Sequence, residues 1–260
     1  MALACLTLVF FAGLARTEQA PLKPTVLITG SNRGIGFEFA KQYAEKGWQV
    51  IATARNPGGA DDLQSLAAEY PGVSIEQLDV SDPKSIDTLA EKLSGQAIDL
   101  IVNNAGIFGE FGDQMFGNLK IDLFDTFMRT NALGPLKMSE AFLPHVKASK
   151  QKKMVSITSQ AGSFTLDSGD LPGMYYYKSS KAAQNMIMRN IAKDVKEYGI
   201  TVGILSPGMV NTAGELPPER RFPGIIEPPE SIAGMITVID GLSIEDSGSF
   251  IRYNGEPQPW

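Results

Sequence analysis

The 260-residue chain has one cysteine, Cys5, and one histidine, His145. A lone cysteine excludes an internal disulfide and a thiolate metal cluster. A lone histidine excludes a multi-histidine metal centre and any triad that calls on a second histidine, so no metal ligand set is expected and His145 reads as a surface or helix-packing residue. Basic excess is missing too: 23 lysines and arginines face 29 acidic residues, a formal charge of −6. The one lysine-dense stretch, "KASKQKK" (147–153), reads as a solvated loop rather than a nucleic-acid footprint. Long apolar runs are scarce. "MALACLTLVFFAGLA" at the start is shorter than the about 20 residues a spanning helix needs. It has the character of a signal-peptide core, with Gly13 and Ala15 at the −3 and −1 positions of a cleavage after Ala15, yet no lysine or arginine precedes it. Residues 1–23 are thus expected to be an apolar leader, either a signal peptide, a retained anchor or an extension. The location follows that choice: cytoplasmic if the cofactor supply governs, exported or membrane-tethered if the leader acts as a signal.

With 43% hydrophobic and 20% charged residues, the rest can build a substantial core, and it is expected to fold as one domain over 24–260. Short β-branched runs alternate with helix-length segments: "TVLIT", "WQVIATA", "VSIEQL", "IDLIVNN", "MVSITS", "ITVGILS" and finally "SFIRY". Near-continuous apolar strands separated by helices predict an α/β fold, a doubly wound parallel sheet of about seven strands. Ser81 or Asp82 with Pro83 predicts a helix start, and Gly95 its end. Residues 107–121 and the proline- and glycine-rich stretch 207–230 break the rhythm and are expected to be binding loops.

"VLITGSNRGIGFEFAKQYAEKG" runs from strand through Gly30, Asn32, Arg33, Gly34, Ile35 and Gly36 into a helix. That order turns backbone N–H groups and the positive helix end toward a pyrophosphate, so a dinucleotide is the expected cofactor. A NAD site ordinarily carries an acidic residue at the end of the second strand. Here that strand ends in Arg55, and Arg33 stands in the glycine turn. Two guanidinium groups match a 2′-phosphate, which favours NADP(H) over NAD(H).

Reduction of a carbonyl needs a hydride and a proton, and a tyrosine can supply the proton if a nearby cation favours its phenolate. In "MYYYKSSKAA" (174–183) a lysine four residues after a tyrosine shares its helix face, which pairs Tyr177 with Lys181. Tyr175 with Lys178, three apart, is a competing pair on helix geometry.

"TGSNRGIG" (29–36), "LDV" (78–80), "NNAG" (103–106), "TNALGP" (130–135), "SITSQAG" (156–162), "YKSSK" (177–181) and "SPGMVNT" (206–212) together resemble the short-chain dehydrogenases/reductases. The ending "GSFIRYNGEPQPW" resembles the subgroup of the developmental C-factor and the sniffer carbonyl reductases. The resemblance implies a catalytic tetrad of Asn131, Ser159, Tyr177 and Lys181. Tyr177 would be the proton donor, Ser159 would bond the substrate carbonyl and Asn131 would hold a relay water. Lys181 would also hold the nicotinamide ribose, and Lys178 would be solvated. Asp79 and Val80 would meet the adenine, Asn103, Ala105 and Gly106 would line the cofactor cleft, and Pro207, Gly208, Val210 and Thr212 would pack on the nicotinamide. Ser159 and Tyr177 stand farther apart than the family commonly has them, because "LDSGDLPGM" (166–174) lengthens the substrate mouth. The implied activity is NADP(H)-dependent interconversion of a ketone or aldehyde with an alcohol. A C-factor-like alternative is a dinucleotide-binding signalling factor with incidental catalysis. Phe108, Phe111, Phe116, Met174, Met209, Leu216 and Phe222 on the loops suggest an apolar small-molecule substrate, and a homo-oligomer is a family option.

Overall fold

The computed structural model describes residues 23–166, 172–212 and 224–260. The apolar leader, Leu216, Phe222 and most of the lengthened mouth segment lie outside the described residues. Among the described residues nine strands follow in chain order: β1 (Thr25–Ile28), β2 (Gln49–Ala54), β3 (Val73–Gln77), β4 (Leu100–Asn103), β5 (Lys153–Ile157), β6 (Thr201–Ser206), β7 (Met209–Val210), β8 (Ile225–Ile226) and β9 (Phe250–Arg252). Seven of them form one sheet in the order β3-β2-β1-β4-β5-β6-β9, and each pairing in it is parallel. The seven apolar runs of the sequence are these seven strands. β7 and β8 make a separate short parallel ladder inside the proline-rich stretch, which pairing from afar created and local pattern did not announce.

The helices are α1 (Gly34–Glu45), α2 (Asp61–Glu69), α3 (Pro83–Lys92), α4 (Leu123–Met128), α5 (Gly134–Ala141), α6 (Leu143–Lys147), α7 (Tyr175–Asp194) and α8 (Pro228–Gly241). They cover both faces of the sheet. On one side Phe39, Tyr43, Leu63, Ile232 and Met235 pack on Val26, Ile28 and Leu100; on the other Ile86, Met138, Val146 and Met188 pack on Leu27, Ile101 and Met154. Burial of each such side chain contributes about 1.5–3 kcal/mol. This two-sided cover explains why β1, β4, β5 and β6 are buried along their whole length, while edge strand β3 is only partly buried. Asp82 caps α3 by accepting from Lys84 N at 3.0 Å, with Pro83 in the first turn, as the sequence predicts. His145 is buried against Phe142, with Nδ1 2.9 Å from the carbonyl oxygen of Gln96.

The strand order places the site. From β1 the chain adds strands to one side, then returns through α3 to add β4 on the other. The carboxyl ends of β1 and β4 therefore flank the crevice of a doubly wound sheet.

Candidate active site

The glycine turn is locked to both neighbours of β1. Ser31 N donates to Thr53 O at 2.7 Å and Gly30 N to Thr53 Oγ1 at 3.3 Å, so the end of β2 is tied to the turn. Arg33 and Arg55 each stand two residues beyond that tie. Both are exposed, and neither has a carboxylate partner among the described residues. On the β4 side Asn104 donates from Nδ2 to the carbonyls of Thr29 (2.9 Å) and Gly30 (3.1 Å), while Asn104 N and Ala105 N donate to Thr29 Oγ1. A Cβ on Gly36 would lie 2.1 Å from Gly30 O and 2.4 Å from Asn104 Nδ2. Glycine is required there because the Gly30 carbonyl and the Asn104 side-chain amide converge on it. Asn104 and Thr29 escaped the sequence reading, although "NN" at a strand end offered two amides and only the first was noticed.

Asn103 is buried at the end of β4, and neither atom of its amide has a hydrogen-bond partner among the described residues. An unpaired buried amide is costly unless a ligand completes it. With the glycine cradle, exposed Asn32 and Arg33, and the half-buried start of α1 at Gly34 and Ile35, the cleft fits a dinucleotide. Gly106 faces the reaction centre, since a Cβ on it would lie 3.2 Å from Asn131 Oδ1 and 3.7 Å from Lys181 Nζ. Asp79 accepts from Ser81 N (2.9 Å) and Ser81 Oγ (2.7 Å), which fixes the turn before α3, and Val80 is buried against Gly134. Pro207 O accepts from Ser231 Oγ at 2.7 Å, Gly208 has a left-handed φ of +78°, and Val210 pairs with Ile226. Thr212 lies over the glycine turn, 3.5 Å from where a Cβ on Gly34 would be.

The candidate reaction centre lies along α7. Lys181 is buried, and its Nζ donates to Ile157 O at 3.0 Å and Gln184 Oε1 at 2.9 Å, 5.8 Å from the centre of the Tyr177 ring. Burial pushes the Lys181 ammonium down to about 7. Tyr177 is partly buried. Desolvation raises its pKa above the ordinary phenol value, and a hydrogen bond with the Ser159 side chain acts the other way. The sequence argument expected a neighbouring cation to lower it. In this geometry the desolvation of Tyr177 prevails. Ser159 begins the turn after β5 and accepts from Ala161 N at 3.1 Å.

Asn131 sits in a π-helical turn, Arg129–Leu133, between α4 and α5. Its fully buried amide donates to Ile107 O (2.9 Å) and Ser180 Oγ (2.9 Å) and accepts from Ile107 N (2.8 Å). The side chain is therefore committed to tying the β4 loop to α7. Tyr176 packs between Phe124 and Phe127, and Tyr175 is half-exposed against Phe116. Lys178 is half-buried on α7. Phe108 meets the Tyr177 ring edge-on at 4.9 Å, and Phe111, Phe116 and Met209 are exposed on the loops. The turn after Ser159 is held by a distant segment: Gln160 Nε2 bonds Gln258 Oε1 (2.6 Å), Ser163 Oγ bonds Pro259 O (2.9 Å) and Thr165 N bonds Trp260 O (2.9 Å).

A family model described as "short chain dehydrogenase" matches residues 24–217. The chain belongs to the short-chain dehydrogenase family and is an oxidoreductase of that type. Within the family its similarities run to the C-signal and sniffer-like carbonyl reductases. The C-signal of Myxococcus xanthus is 36% identical over 168 residues, 63% of this chain and 93% of its own length. The structure of an NADPH-bound carbonyl reductase from chicken fatty liver superposes with a TM-score of 0.80 at 33% identity, covering 92% of this chain and 99% of that one. The carbonyl reductase Sniffer of D. melanogaster shares the fold, with a TM-score of 0.80 at 24% identity over 92% of this chain and all (100%) of its own. No helix among the described residues is long and apolar enough to cross a membrane.

Proposed function

We propose that the protein interconverts a ketone or aldehyde with an alcohol, using NADP(H) and Tyr177 as proton donor and acceptor. The observation that carries the reading is the buried Lys181 one turn behind Tyr177 on α7, with Nζ 5.8 Å from the centre of the Tyr177 ring. A carbonyl oxygen bound between the Tyr177 and Ser159 hydroxyls would receive two hydrogen bonds, and these strengthen as negative charge develops on it. Tyr177 then passes its proton to that oxygen, and the Lys181 ammonium stabilises the phenolate left behind. A bound nicotinamide dinucleotide supplies the hydride. Gly30, Gly34 and Gly36 allow its phosphates close approach, Asn103, Ala105 and Gly106 line its cleft, and Asp79 with Val80 borders its adenine end. Pro207, Gly208, Val210 and Thr212 cover its nicotinamide end, and Asn131 holds the β4 loop in place.

Preference for the phosphorylated cofactor rests on Arg33 in the glycine turn and Arg55 just past β2, two exposed residues with no acidic partner among the described residues. The NADPH-bound relative from chicken liver supports the same choice. The test is turnover of NADPH and NADH with a panel of aldehydes, ketones and quinones, with Tyr177→Phe as the control. Preference for NADH, or full turnover in Tyr177→Phe, would overturn the reading.

A further inference from the structure

Gln184 follows Lys181 by three residues on α7, so the two share a face. It is buried at 1% exposure, and both ends of its amide are used. Oε1 accepts from Lys181 Nζ at 2.9 Å; Nε2 donates to Ser156 Oγ at 2.6 Å and to Ile157 O at 3.3 Å. Ile157 O also accepts from Lys181 Nζ, so lysine, glutamine and strand carbonyl close a ring. Ser156, itself fully buried on β5, anchors it. An ammonium has three N–H donors. Two are taken here, and Nζ also lies beside Gly106 and 5.8 Å from the centre of the Tyr177 ring.

We propose that Gln184 is a positioning residue, which fixes the Lys181 ammonium within reach of Tyr177 through an amide anchored on Ser156. The choice of glutamine is specific in its chemistry. A leucine would leave Nζ with one protein acceptor in a buried site, and a glutamate would cancel the charge that Tyr177 needs. Tyr177 is the titratable group facing Lys181 from α7. From β5, the β4 loop and the π turn come Ile157 O, Ser156, Ser159, Gly106 and Asn131, all neutral, and desolvation is the only influence displacing Lys181. The inference rests on reading Tyr177 and Lys181 as the proton-transfer pair.

The test begins with the cofactor-free protein, in which NMR titration of the Lys181 side chain follows its protonation directly. In Gln184→Glu the Lys181 midpoint rises by about one unit or more, and in Gln184→Met it falls by a similar amount. Packing alone would not move it in opposite directions. Midpoints unchanged in both variants would overturn the proposal. The second readout is the pH profile of alcohol oxidation, whose acid limb moves alkaline in both variants, because each weakens the positive field at Tyr177. Opposite midpoint shifts with an unmoved limb would uphold Gln184 as positioning Lys181 and instead refute the proton-transfer pair. Should Gln184→Glu fail to fold, Gln184→Met and Ser156→Ala decide the matter: each must lower the Lys181 midpoint, Ser156→Ala by less, and no change in either refutes the proposal.

Discussion

The backbone N–H of Tyr177 donates a 2.9 Å hydrogen bond to the side-chain Oε1 of Gln114, a residue 63 positions earlier. Met174, which precedes α7, has a left-handed φ of +57° and provides no side-chain cap, so the first turn depends on this bond. Gln114 is fully buried, and its Nε2 donates to Phe108 O at 2.9 Å. One amide thus holds the 107–121 loop against the start of the helix that carries the reaction centre. Gln114→Leu is expected to destabilise the protein by about 1 kcal/mol, the usual cost of a lost cap. Because Tyr177 is the residue uncapped, kcat should fall more than cofactor affinity; thermal denaturation and NADPH fluorescence titration measure the two effects separately.

Replacing Tyr177 by Phe removes the hydroxyl and keeps the ring that meets Phe108. The expected result is a roughly 10²–10⁴-fold loss of kcat, the range for a general acid, with unchanged NADPH binding. Steady-state kinetics beside a binding titration checks it.

Lys181 predicts a pH dependence of stability. Folding lowers its pKa from 10.5 to about 7, so between those values the unfolded chain holds more protons than the native one. Stability therefore rises with pH across this window, with Lys181 contributing at most about 1.4 kcal/mol per unit. Below the window both states are protonated, and the cost of burying the ammonium is fully present. Denaturant unfolding at a series of pH values should show the rise, and Lys181→Met should flatten it.

Arg33→Ala and Arg55→Ala are each expected to raise KM for NADPH about tenfold, equivalent to one charge-assisted contact of about 1.4 kcal/mol. KM for NADH should hardly change. Equal effects on the two cofactors would show that neither guanidinium reads the 2′-phosphate.

Gly162 permits the turn after Ser159 to rest on α7. A Cβ there would lie 2.7 Å from the carbonyl carbon of Lys181 and 2.9 Å from Ala182 N, both backbone atoms. Gly162→Ala should cost about 1–3 kcal/mol, the range for overpacking, and should reduce kcat by parting Ser159 from Tyr177. Melting temperature and kcat are expected to fall together.

Much of this molecule could be read from local pattern. The strand runs, the glycine turn into α1 and the Tyr177–Lys181 spacing are set by the periods of strand and helix, which a sequence displays directly. The same spacing rules leave Tyr175 with Lys178 as an alternative; in the fold Tyr175 is half-exposed against Phe116, and Tyr177 meets Phe108. Asn131 shows the limit. Its position was legible, but the commitment of its amide to Ile107 and Ser180 was not, because the partners come from the β4 loop and α7.

By itself, then, the sequence determined the doubly wound sheet, the glycine turn into α1 and the two tyrosine–lysine spacings on α7, since each follows from short-range periodicity and turn chemistry. Tertiary structure alone decided that Gln114 caps α7, that Gln184 and Ile157 receive the Lys181 ammonium, and that burial raises the Tyr177 pKa. Desolvation and the partners of buried polar groups arise where distant segments meet, and no local pattern encodes that meeting.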